Sequence, residues 1–213
     1  MTPDAFQRLA AVSRETLDRL ETYAALLRTW QTRINLVGPA TLGDAWRRHF
    51  LDSAQLLPLL PESTRRLVDL GSGAGFPGLV LAILGVPDVH LIESDQRKIA
   101  FLRTVAAATD TRISLHPRRI EDVPALAADV ITARALAPLA SLLNYAIPLL
   151  RVQDGSTGVC LFLKGQQVDP EVTSASTRWT MNVERFASRS DPTGVVLRLS
   201  ALSPRLHPSA PGL

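Results

Sequence analysis

The sequence predicts an α/β fold, a doubly wound and mostly parallel sheet, and three observations carry that expectation. Beyond residue 66, short apolar runs alternate with stretches of helical period. A glycine-rich segment, 71–78, follows the first of those runs. Near the C-terminus the pattern changes to two β-like runs around a turn. The chain divides into a helical extension packed on the core (1–62), the sheet-bearing core (63–202) and a Pro-rich tail (203–213) expected to be disordered.

Each element follows from local pattern. Leu17, Leu20, Ala24 and Leu27 recur at helical spacing and predict a helix over 13–30. Leu42, Trp46, Phe50, Ala54 and Leu57 predict a second over 41–57, closed by Pro58 and Pro61, with a loop at 35–39 between the two. A strand at 67–70 runs into the glycine loop, and a helix follows through Leu84 with Pro77 in its first turn. Strands are expected at 89–92, 112–115, 130–132 and 159–163, and helices at 96–108 and 139–149. The runs 179–186 and 195–202, around Asp191 and Gly194, read as a β-hairpin added to the sheet edge.

Composition narrows the function classes. With 213 residues, 46% hydrophobic and 20% charged, the chain can bury a full core. Its single cysteine, Cys160, excludes a disulfide framework and a cysteine zinc site, and it lies in an apolar strand, which suits core packing. The histidines are scattered, so no metal is expected. Apolar windows are interrupted by Gly and Pro, and the N-terminus lacks a signal pattern, so a soluble cytoplasmic protein is expected. Only Lys98 and Lys164 among 23 basic residues are lysines. Arginine suits bidentate phosphate binding, though a GC-rich genome produces the same usage.

In a doubly wound sheet, ligands bind beyond the carboxyl ends of the strands. Here that place is the glycine loop. The residues from Gly73 to Gly78 match G-x-G-x-x-G, which would suit a dinucleotide. Two details oppose this. Gly71 and Ser72 intervene between strand and motif, and Asp69 puts a carboxylate where a pyrophosphate needs positive potential. A carboxylate there suits a ligand with an ammonium group and no phosphate, such as S-adenosylmethionine. Glu93, at the end of the second strand, can accept ribose hydroxyls in either case.

The strings LVDLGSGAGFPGLVLAI and LIESDQRKIAFL resemble the bacterial small-subunit ribosomal RNA guanine-N7 methyltransferases, the RsmG or GidB family. The resemblance extends to Asn35-Leu36, to Arg48-His49 with Asp52-Ser53, to Arg119-Ile120-Glu121, to Arg134-Ala135 and to Lys164-Gly165-Gln166. Thr132-Ala133 departs from the Ser that the family often places before Arg134. The resemblance implies a Rossmann-like class I methyltransferase with S-adenosylmethionine as sole cofactor. Gly71 and Phe76 would line that cofactor with Asp69, Gly73 and Glu93. Ile120 and Glu121 would flank the adenine, and Arg134 would lie near donor and target base. The implied partner is 16S ribosomal RNA or a small-subunit particle, and a monomer is expected.

Guanine N7 carries an in-plane lone pair and no proton, so no general base is expected; positioning by Arg134 and Lys164 would serve instead. Arg48, His49, Arg134 and Lys164 are the candidate RNA contacts, since Arg and Lys read the O6/N7 edge. Taken alone, Arg48 and Asp52 would read as a helix-surface ion pair. An NAD-linked oxidoreductase and a non-catalytic RNA-binding protein of the same fold stay open as alternatives.

Overall fold

The computed structural model describes residues 1–153 and 156–205. The N-terminal extension opens with α1 (Pro3–Ala10), capped by the Thr2 hydroxyl and ended by Ala11 at φ 52°. Sequence periodicity had not marked this short helix. Next comes α2 (Arg14–Gln31), where the Ser13 hydroxyl accepts from the Thr16 N–H at 3.1 Å and Leu17, Leu20, Tyr23, Ala24 and Leu27 face inward.

The single helix expected over 41–57 is instead broken. A short α3 (Pro39–Leu42) leads to a π-helical turn at Trp46–Leu51, then α4 (Asp52–Ala54) and a 3₁₀ turn at Leu57–Leu59. The wider π turn buries Trp46, His49, Phe50 and Leu51 and shifts the phase of the helix surface, so residues beyond it do not follow the face that a continuous 3.6-residue period sets.

The core begins with β1 (Arg66–Leu70), followed by the glycine loop and α5 (Gly78–Ile83), with Pro77 just outside the helix as its cap. Then come β2 (Asp88–Ile92), α6 (Gln96–Ala108), β3 (Ser114–His116), β4 (Val130–Arg134) and α7 (Leu139–Ala146). A minor ribbon of β5 (Val152–Gln153) and β6 (Ser156–Thr157) precedes β7 (Val159–Lys164). An unforeseen helix, α8 (Val168–Ser176), leads to the hairpin of β8 (Trp179–Ala187) and β9 (Val195–Pro204). Ser203 and Pro204 of the expected tail thus belong to a strand, the Arg205 N–H donates to the Arg178 carbonyl at 2.8 Å, and 206–213 lie outside the described residues.

Among the described residues, seven strands form one sheet in the order β3-β2-β1-β4-β7-β9-β8, parallel through β7 and antiparallel at the hairpin. Alternation along β1 sends Leu67 into the core under α2, α5 and α6, and Val68 and Leu70 into the core under α7 and α8. The first of these cores is continuous from Phe6 in the extension to Val196 in β9. Each buried Leu or Phe contributes about 1.5–3 kcal/mol. The winding reverses between β1 and β4, which places the glycine loop and Arg134 on either side of one crevice.

Candidate active site

The crevice holds two adjoining cavities that share Gly71, Arg134 and Ala135. The smaller, about 410 Å³, lies at the ends of β1, β2 and β3 and is lined by Glu93, Lys98, Arg118, Ile120 and Glu121. The larger, about 660 Å³, lies between β4, β7, the N-terminal extension and the hairpin loop, and Phe76, His49, Lys164 and Asp191 line it.

The glycine loop is tied to β2 by short-range bonds. The Ser72 N–H donates to the Ile92 carbonyl at 2.9 Å, and the Gly73 N–H donates to Glu93 Oε2 at 2.9 Å. Glu93 Oε1 accepts from the Asp95 N–H at 2.8 Å. Both oxygens therefore hold their place on backbone amides, and each keeps accepting capacity. Two glycines are required by close approach. A Cβ at Gly75, where φ is 93°, would meet the Tyr23 hydroxyl at 2.6 Å. One at Gly78 would meet Asp69 Cβ at 2.6 Å.

Asp69 itself is fully buried beneath this loop and lines neither cavity. Alternation along β1 turns the side chain of this expected cofactor-binding residue under α5. The Thr132 hydroxyl donates to Oδ1 at 2.7 Å, while Oδ2 has no partner among the described residues. Burial pushes the carboxyl up to about 6, against the pull of the Thr132 hydroxyl.

Phe76 is the common wall of an aromatic cluster. It stacks on Tyr23 at 5.2 Å and on His49 at 5.0 Å, and meets Phe50 edge-on at 5.3 Å. The Arg134 guanidinium lies over its ring at 5.1 Å. The Tyr23 hydroxyl donates to the Ala74 carbonyl, so α2 pins the loop from outside. Tyr23 is not among the residues whose spacing predicts its helix, and helical period says nothing about where a hydroxyl ends.

The larger cavity is closed by contacts between distant residues. Arg134 Nη1 donates to the Arg48 carbonyl at 3.0 Å, His49 Nδ1 at 2.9 Å and Asp52 Oδ2 at 3.3 Å. His49 Nε2 lies 2.8 Å from Thr41 Oγ1, whose hydroxyl donates to the Gly38 carbonyl at 2.7 Å. Nδ1 is thus the acceptor and Nε2 carries the proton. Burial, then the charges of Arg134 and Arg48, push the imidazole down to about 3, so the ring is neutral. It is 6% exposed, lines the larger cavity and has both ring nitrogens engaged within the protein.

Arg48 does not pair with Asp52. The π turn sends Arg48 across to the hairpin loop, where Nη1 meets Asp191 Oδ2 at 2.6 Å and holds that carboxyl at about 2. Asp52 accepts from Arg134 and from the Ser190 hydroxyl. Gln55 accepts the Arg189 N–H at 2.7 Å, and Arg47 donates to the Ser190 carbonyl at 2.7 Å. Lys164 is likewise engaged: its side chain is 11% exposed, with Nζ 2.6 Å from Glu171 Oε2 and 3.1 Å from the Ala137 carbonyl. Glu171 Oε2 also accepts the Leu139 N–H at 2.7 Å. Asp191 was legible only as a turn residue, and no signal pointed to Glu171.

His90 and His116, separate in sequence, meet at 2.9 Å across β2 and β3, with Asp88 at 3.0 Å beyond. Among the described residues no group of three or more His, Cys, Asp or Glu is arranged to hold a metal ion. Among them, too, no helix is long and apolar enough to cross a membrane.

The smaller cavity fits an adenosine. It offers a buried carboxylate at the second strand end and an apolar side chain at Ile120. The loop that joins it to the larger cavity has the Asp69 carboxylate beneath it, with one oxygen unpartnered. That carboxylate disfavours a pyrophosphate and suits a cationic amino-acid tail.

Residues 16–191 match the family model described as GidB, rRNA small subunit methyltransferase G. The chain is 63% identical over 202 residues to the Ribosomal RNA small subunit methyltransferase G of Rhodospirillum rubrum, covering 95% of this chain and 98% of that one. The protein of the same name from Paramagnetospirillum magneticum is 55% identical over 203 residues, covering 95% and 97%. Among solved structures, M. jannaschii TYW2 in complex with AdoMet superposes with a TM-score of 0.55 at 14% identity, over 82% of this chain and 80% of that one. The ribosomal protein L11 methylase of Lactobacillus delbrueckii subsp. bulgaricus gives 0.55 at 19% identity, over 69% and 77%. These folds are the class I, Rossmann-like methyltransferase fold, which uses S-adenosylmethionine. Family and fold together displace the NAD-linked and non-catalytic alternatives: the chain belongs to the rRNA small subunit methyltransferase G family.

Proposed function

We propose that the protein transfers the methyl group of S-adenosylmethionine to N7 of a guanine in the decoding region of 16S ribosomal RNA, as RNA or within a small-subunit particle, acting as a cytoplasmic monomer. Glu93 would hold the ribose hydroxyls, and Ile120 and Glu121 would flank the adenine. Gly71, Gly73 and Phe76 would wall the amino-acid end, with Asp69 acting on the ammonium through its charge from beneath. Bound there, the cofactor supplies an electrophilic methyl group on a sulfonium. Arg134, at the junction of the cavities, would hold the target nucleotide beside it, with Arg48 at the rim and Lys164 bracing the wall through Glu171.

One observation carries the choice of N7. Every acid or imidazole lining the larger cavity is engaged: Asp52 by Arg134 and Ser190, Asp191 by Arg48, Glu171 by Lys164, and His49 as a neutral acceptor. None is placed to take a proton from an exocyclic amine, which suits an acceptor that has no proton to lose. In-line positioning then supplies the acceleration.

The test is methyl transfer to undermodified small-subunit RNA and particles, followed by borohydride reduction and aniline. Scission at one guanosine is the expected result. A methylated product that resists scission, or one with the methyl on N2, would contradict the proposal.

A further inference from the structure

Arginine and lysine ordinarily grip guanine through O6 and N7 together. In a site that methylates N7, that grip blocks the reacting lone pair. A cation at the junction of donor and acceptor cavities is therefore useful only when restrained. Arg134 is such a cation, and its restraint is one-sided. Nη1 faces three acceptors, whereas Nε and Nη2 have no hydrogen bond among the described residues. The guanidinium lies over Phe76, and His49 stacks on the same ring, so the imidazole and the guanidinium are held against one platform.

We propose that His49 is a positioning residue for methyl transfer: its Nδ1, fixed as acceptor by Thr41 behind it, pins Arg134 against Phe76 and off the N7 lone pair. Asp52 completes the pin, and the Ser190 hydroxyl holds Asp52 in turn. This rests on N7 being the methyl acceptor, as proposed above. It assigns the Arg48-His49…Asp52 motif to setting one side chain of the active site, with only Arg48 left at the surface.

The pin has a kinetic signature that simple packing lacks. An Arg134 freed from His49 can close on the O6/N7 edge and bind the target unproductively, so turnover falls while the apparent affinity for RNA does not. His49→Phe keeps the stacking ring and removes the acceptor. Single-turnover methylation should fall about tenfold to a hundredfold, with donor affinity within about threefold of wild type and KM for RNA unchanged or lower. His49→Asn puts an amide oxygen near the position of Nδ1 and should recover most of the rate. In an Arg134→Met background, His49→Phe should add little further loss, because the two residues act as a unit. A His49→Phe enzyme with wild-type turnover, or one whose only defect is a raised KM for RNA, would overturn the proposal; the second result would make His49 an RNA contact. If His49→Phe fails to fold, judged by lost donor binding, Thr41→Val takes its place. It removes the acceptor of the Nε2 proton, and a severalfold slower rate with intact donor binding is expected; a wild-type rate would overturn the pin. Wild-type protein run beside the variants separates the two failures, since absent methylation there would count against the proposed function itself.

Discussion

The donor half of the crevice and its acceptor half are built in different ways. On the donor side, Ser72, Gly73, Glu93 and Asp95 are held by bonds between neighbouring strand ends that span at most twenty positions, and the longer ties, Tyr23 to Ala74 and Thr132 to Asp69, span 51 and 63. On the acceptor side, Arg47 and Arg48 reach Ser190 and Asp191 across 143 positions, and Arg134 reaches His49 across 85. A cofactor site used by a whole fold can be encoded in one βαβ unit. A site for one particular substrate is closed here by side chains drawn from an added N-terminal segment and an added hairpin.

The two halves should respond separately to most substitutions, and Phe76 is the exception. It carries stacking on Tyr23, His49 and Arg134 at once, so Phe76→Ala should cost about 3–5 kcal/mol of stability and impair both donor and RNA binding. Denaturant unfolding checks the first, and a cost under about 1 kcal/mol would mean the cluster tolerates collapse. Lys164→Met should act on the acceptor half alone. It leaves the half-buried Glu171 beside only the Leu139 N–H, at a cost of about 1–3 kcal/mol. Pairing it with Glu171→Leu should return part of that stability, whereas additive losses would deny the pair.

Asp69 gives the donor half a pH signature. Its folded value, about 6, lies above the ordinary 3.8, so the folded state holds the proton more tightly. The associated stabilisation is full below pH 3.8 and is lost as pH rises through 6, about 3 kcal/mol at most. The stability of Asp69→Asn relative to wild type should therefore increase from pH 4 to pH 7. A constant difference would show an unshifted carboxyl. Glu93→Ala should weaken donor binding by about 1.5–3 kcal/mol through lost charge-assisted hydrogen bonds, with RNA affinity unchanged. Titration calorimetry with S-adenosylmethionine reads this directly, and an unaltered donor affinity would move the ribose elsewhere.

The same contrast explains what could be read in the sequence. Strand and helix periods located the parallel strands and α6 to within a few residues, because each element buries a face of its own. The glycine loop and Glu93 were legible for the same local reason. The motif marks Asp69 at the strand end, but period-two alternation, not the motif, decides that its side chain turns under α5. The π turn at Trp46–Leu51 defeated a 3.6-residue template and with it the pairing of Arg48 with Asp52. Glu171 sits on α8, whose VDPEVTSAS sequence carries a proline and little apolar pattern. The family motif marked His49 and Arg134 without showing that they bind one another.

The most direct test of base-free transfer is the single-turnover rate at saturating donor and RNA between about pH 6 and 8.5. With every acid or imidazole lining the larger cavity engaged and His49 neutral throughout, the rate should be flat across that range. A rate that climbs tenfold per pH unit before levelling would reveal a titrating base in the acceptor half, and would contradict both the N7 acceptor and the positioning role given to Arg134.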